Sequence, residues 1–114
     1  MAPLAACVSL EAGLDLIRRG AYFEAHEVLE DVWRASAPDE RDFYQGLVHV
    51  AVAWYQAGRD NRVGCERQLE KAARRLGPYA PEHEGVDVAA VLEQVAAARA
   101  VVAGGSLDLA PPSV

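Results

Sequence analysis

Five side chains carry the chemistry this sequence offers: His26, Glu27 and Glu30 in one run, Gln45 and His49 in another. His26 and Glu30 stand four residues apart, so on a helix they share a face and can touch. At about 100° per residue, Leu29, Tyr22 and Trp33 lie to one side of His26, and Glu30 and Phe23 to the other. The imidazole and the carboxylate therefore interrupt an apolar stripe, while Glu27 falls nearer solvent. A polar group left unsatisfied in such a stripe costs ~1–3 kcal/mol, so burial would demand partners. Gln45 and His49, also four apart, can supply them if their helix packs antiparallel to the first, uniting His26, Glu30, Gln45 and His49 in one cluster.

That constellation is compatible with more than one chemistry. Two imidazoles and a carboxylate suit a divalent metal such as zinc, or iron with open positions, with His26 and Glu30 as the leading ligands. The string His-Glu-x-x-Glu from His26 to Glu30 resembles the zinc-binding His-Glu-x-x-His with its second imidazole replaced, which removes one of two ligands. Without metal, His26 oriented by Glu30 could serve as the base of a hydrolase. The plainest reading makes the pair a satisfied polar contact that sets helix register, with Phe23, Trp33 and Gly46 packing around it. His83, between acids in a Pro-containing loop, reads as a surface residue, and Arg67, Lys71, Arg74 and Arg75 read as one solvated helix face.

The elements that must position these groups are helical. Apolar residues recur at helical spacing and no run alternates with period two. A first helix is expected from Ser9 to just before Gly20, burying Leu10, Leu14 and Ile17, and a second from Ala21 to about Ala35. A third is expected from Pro38 to Ala57, a fourth from Asp60-Asn61 to Leu76 with Val63, Cys65, Leu69, Ala72 and Leu76 inward, and a fifth after Asp87 to Gly104-Gly105. The third is apolar nearly all round: Phe43, Leu47, Val50 and Trp54 form one face, and Tyr44, Val48, Ala51 and Tyr55 another. Such a helix belongs in the middle of a bundle. Gly46 in its interior costs ~1 kcal/mol relative to Ala, which points to close contact with a neighbour. The expected architecture is an all-α bundle of about five helices with antiparallel neighbours and a central third helix. Residues 1–8 form an N-terminal tail, 9–104 one domain, and 105–114 a C-terminal tail in this reading.

The chain has 114 residues and a formal net charge of −6, which fits one domain and argues against nucleic acid, whose binding needs clustered cations. Cys7 and Cys65 are too few for a disulfide framework or a zinc site made of thiolates. Leu4-Ala5-Ala6-Cys7 resembles a lipidation box but lacks a preceding basic residue and an apolar stretch, and no segment is long enough to span a membrane. A cytoplasmic protein is expected.

Phe23-Glu24-Ala25-His26-Glu27-Val28-Leu29-Glu30-Asp31-Val32-Trp33, Gln45-Gly46-Leu47-Val48-His49-Val50-Ala51, and Asn61 with Gly64 together resemble the small prokaryotic family called domain of unknown function 309. The resemblance covers about residues 10 to 95 and implies an all-helical domain with His26, Glu30, Trp33, Gln45 and Gly46 as signature positions. It implies no activity. His49 stands where Gln is more usual in the family, and Cys65 where a small residue such as Ala is expected. The functional expectation is a protein-interaction or structural module with a buried His/Glu cluster, including a homo-oligomer formed through the face around Phe43 and Trp54. A metal- or ligand-binding protein using His26 and Glu30 is the alternative, and a hydrolase with His26 as base the next.

Overall fold

The computed structural model describes the backbone of residues 4–114 and the side chains from Ser9 onward. Five helices follow one another: α1 (Leu4–Arg18), α2 (Tyr22–Ala35), α3 (Arg41–Gly58), α4 (Arg62–Leu76) and α5 (Val88–Ala103). The all-α bundle is as expected, with shifts at several ends. α1 begins at Leu4, ahead of Ser9, and the Cys7 thiol and the lipidation-box side chains lie outside the described residues. Pro38 to Glu40 form a turn before α3 rather than its first turn. The segment expected as a loop after α4 contains a 3-10 turn (Gly77–Tyr79) and a small hairpin. In that hairpin β1 (Glu82–His83) pairs antiparallel with β2 (Val86–Asp87). Its turn residues Glu84 and Gly85 have φ of 49° and 76°, the positive values that a tight two-residue hairpin turn requires.

Local chemistry explains the helix starts. The Asn61 side chain accepts a hydrogen bond from the Gly64 N–H at 2.9 Å and so caps α4, and the Asp87 carboxylate accepts from the Ala90 N–H at 3.0 Å and caps α5. A Cβ on Gly64 would sit 2.7 Å from the Asn61 amide, so the cap and the glycine require each other.

α3 packs between α2 and α4, with α1 against α2 and α5 against α4. Its apolar residues are buried on several sides: Phe43, Leu47, Val50, Ala51 and Ala53 are fully enclosed, and Trp54 nearly so. This corrects the idea of a second apolar face around Phe43 and Trp54 left free for a copy of the chain. Val63, expected inward on α4, is exposed instead, because Cys65, Leu69, Ala72 and Leu76 fill the inward face.

Residues 105–114, expected as a tail, run as an extended strap over the bundle. The Trp54 indole N–H donates to the Ala110 carbonyl at 3.0 Å. The Gln94 amide both donates to the Ser113 carbonyl, at 2.8 Å, and accepts from its N–H, at 2.6 Å. Leu107, Leu109 and Val114 pack against the core.

The approach of α3 to α4 is set at Gly46. A Cβ there would stand 2.6 Å from Cγ and 2.7 Å from Cδ2 of the fully buried Leu76. Gly46→Ala should therefore destabilise the fold by ~1–3 kcal/mol, the usual range for an overpacked core. Urea unfolding will measure it, and the cost should shrink in a Leu76→Ala background, where the added methyl meets space.

Candidate functional site

Positions 23, 26, 30 and 33 of α2 fall within about 80° of one another on the helix circumference. Phe23, His26, Glu30 and Trp33 accordingly form one face, and all four reach solvent in part. On α3 the matching stripe is Arg41, Gln45, Val48, Val52 and Tyr55, with Arg59 at the C-cap. Two contacts fix the helices against each other at the ends of this face. The Phe23 and Tyr55 rings lie 5.5 Å apart, and the Arg41 guanidinium sits 5.1 Å from the centre of the Trp33 ring. Between those clamps lie His26 and Glu30 from one helix and Gln45, Val48 and Val52 from the other.

His26 is oriented by its own helix. Its Nδ1 lies 2.5 Å from the Phe23 carbonyl oxygen, an acceptor only, so Nδ1 carries the proton and the neutral ring keeps its lone pair on Nε2. The Phe23 ring meets the imidazole edge-on with centroids 4.9 Å apart. No hydrogen bond to Nε2 is formed among the described residues. An imidazole whose Nδ1–H is tied to a carbonyl while Nε2 remains available is arranged to accept a proton, a donor hydrogen or a metal.

The other candidates take separate partners. Glu30 is engaged by Arg34 at 3.3 Å, and Arg34 also reaches Asp31 at 3.1 Å. Glu27 is exposed and Gln45 half-buried. His49 turns toward α4, where its Nδ1–H donates to the Gln68 side-chain oxygen at 2.7 Å. The structure thus places His26 and Glu30 on one face of α2, Gln45 on the stripe of α3, and the His49 contact at the α3–α4 interface. No hydrogen bond joins His26 to Glu30 or to His49 among the described residues.

Burial has the largest influence on His49 and pushes its pKa below the ordinary 6.5; the Gln68 hydrogen bond opposes this, and Arg75, Lys71 and Arg74 add to the depression. The Nε2 of His49 and the Nε of Arg75 are buried without hydrogen-bond partners among the described residues. Cys65 is fully buried, and burial, with Glu66 adding to it, pushes its thiol pKa up, the reverse of an activated nucleophile.

His83 departs from its expected place on the surface. Its ring packs edge-on against Phe43 at 4.6 Å and beside Tyr79 at 4.7 Å, and its Nε2 is hydrogen-bonded to the Glu40 carboxylate. Glu40 lies 43 residues away in sequence, so helical spacing carries no trace of this contact.

Comparison with known proteins adds family membership but no activity. The family model described as "Domain of unknown function (DUF309)" matches residues 10–68, from α1 into α4. The chain is 36% identical over 67 residues to "Uncharacterized protein YpuF" of Bacillus subtilis (strain 168), covering 58% of this chain and 37% of that protein. It therefore spans little more than a third of the relative's length. No solved structure is significantly similar.

The depressed His49 pKa has a definite sign in stability. As pH falls, the unfolded chain takes up a proton at this imidazole before the folded chain does. The stabilisation is complete above pH 6.5 and is lost progressively as pH drops from there toward the folded value. Urea unfolding from about pH 8 to about pH 5 should show a shallower acid decline for His49→Gln than for the wild type. Equal declines would contradict the assignment.

Proposed function

The chain belongs to the domain of unknown function 309 family, and from that premise we propose that it acts as a cytoplasmic protein-interaction module presenting the outer face of the α2–α3 pair. Its recognition residues are Phe23, His26, Glu30, Trp33 and Tyr55, with Gln45 at the margin. The single observation that carries this reading is Phe23, which is 46% exposed yet held by ring contacts to both His26 and Tyr55. An aromatic ring already immobilised in the free protein loses little further entropy when a partner covers it, and such rings dominate binding energy at interfaces. A second copy of the chain is one partner the face could take.

A metal or small-ligand site at His26 and Glu30 is the second reading, favoured by the available Nε2 lone pair. Glu30 would then have to leave Arg34, an exposed pair whose loss costs little. Hydrolysis with His26 as base rests on the same lone pair.

Phe23→Ala should lower the melting midpoint only modestly, since the ring is half in water and loses its contacts to His26 and Tyr55, while abolishing association by the still-folded protein. Sedimentation of the purified protein tests self-association, and quantitative crosslinking in cells tests other partners. Identical profiles for wild type and Phe23→Ala would overturn the reading. Loss of association in Phe23→Ala but not in His26→Gln would confine recognition to the aromatic contacts.

A further inference from the structure

The start of α3 and the β1–β2 turn bring together three side chains of metal-ligating type. We propose that Glu40, His83 and Glu84 bind one divalent transition-metal ion, which fastens the hairpin to the base of α3. One imidazole nitrogen and one oxygen from each carboxylate lie within 4.8 Å of one another. Tetrahedral ligands at zinc stand about 3.3 Å apart, given bonds of about 2.0–2.1 Å. Closing the difference takes a movement of roughly 1.5 Å, within the reach of the exposed Glu84 side chain on its turn.

The imidazole is already oriented. Phe43, itself fully buried, and Tyr79 hold the His83 ring on two sides, and the Tyr79 hydroxyl is anchored by donating to the Asp39 carbonyl at 2.7 Å. A ligand locked by packing loses little freedom on binding.

Charge favours the ion as well. Two carboxylates converge on one imidazole, which even when protonated can neutralise only one of them. Asp39, Asp42, Glu82 and Asp87 are close in sequence to the three ligands; of the cations at this end of α3, Arg75 is paired with Asp42 at 2.6 Å and Arg41 lies over the Trp33 ring. The positive end of α3 opposes a cation, which is why one carboxylate would be too few and two are needed. The imidazole nitrogen selects for zinc-like ions over calcium and magnesium, which take oxygen ligands alone. His83 and Glu84 lie beyond the matched family segment, so the site does not depend on the α2–α3 reading.

The test is zinc titration of tag-free, chelator-stripped protein by calorimetry, with zinc content measured after dialysis and melting curves with and without the ion. One zinc per chain and a raised melting midpoint are expected. Glu84→Gln, an exposed substitution that leaves packing alone, should weaken binding by about tenfold or more with an unchanged apo melting curve, and His83→Gln should weaken it as much while lowering the apo midpoint, because its ring packs on Phe43 and Tyr79. His26→Gln should bind zinc as the wild type does. Absence of stoichiometric uptake, uptake unchanged in Glu84→Gln, or uptake lost in His26→Gln would each overturn the proposal. Should His83→Gln fail to fold, Glu84→Gln decides alone.

Discussion

A helix that is apolar round most of its circumference has to be covered on several sides at once, and α3 imposes that demand on everything else in this chain. Phe43, Leu47, Val50 and Trp54 cannot be buried by one neighbour, so α2 and α4 flank the rod and the strap closes over Trp54. Side chains alone would hold α4 too far away. The missing Cβ at Gly46 lets Leu76 reach the α3 backbone, and Gly13 does the same for Leu29 between α1 and α2. These two absences of a methyl set the spacing at which the remaining core residues meet.

Once α3 is enclosed, the polar groups along its edge are sorted by which neighbour they face. His49 turns to α4, among Gln68, Lys71, Arg74 and Arg75, where burial and cations keep the imidazole neutral. His26 comes to the other side on α2, half in water, with its proton tied to the Phe23 carbonyl. Two histidines that look equivalent on their separate wheels thus have opposite prospects. One is a neutral core-edge group with a buried unpartnered nitrogen, and the other offers a lone pair to whatever approaches the face.

The residues show why some of this could be read beforehand and some could not. Helix existence and the α4 and α5 caps follow from local rules, since Asn61 and Asp87 bond to backbone N–H groups three residues on. The central place of α3 follows from its composition, and so does the need for close contact at Gly46. What a wheel lacks is the rotation of one helix relative to the next. Gln45 and His49 share a face at helical spacing, yet about 40° separates the margin of the α2–α3 face from the α4 interface on a rod of this circumference. Phe43 and Trp54 looked like a spare face because α5, the strap and the hairpin could not be placed from periodicity. Periodicity leaves His83 on the surface for the same reason: its contacts to Glu40 and Phe43 span about forty residues of chain and run through a hairpin with two residues per strand.

The two ends of α3 therefore carry different chemistry. At the C-terminal end the Tyr55 ring contacts both Phe23 and the Arg59 guanidinium, and Trp54 binds the strap. At the N-terminal end Glu40 and Glu84 of the hairpin turn converge on the His83 imidazole, and Asp42 is paired with Arg75. Residues 40 and 55 lie about 22 Å apart along the axis, at 1.5 Å per residue. That exceeds the distance over which exposed charges act in physiological salt, and the distance beyond which substitutions add independently. A change at Glu84 should thus leave the Phe23–Tyr55 contact intact, and a change at Phe23 should leave the acidic end intact. α3 therefore spaces the Phe23–Tyr55 end of the proposed face away from the carboxylates, while the Trp33–Arg41 contact brings the other end of that face next to Glu40.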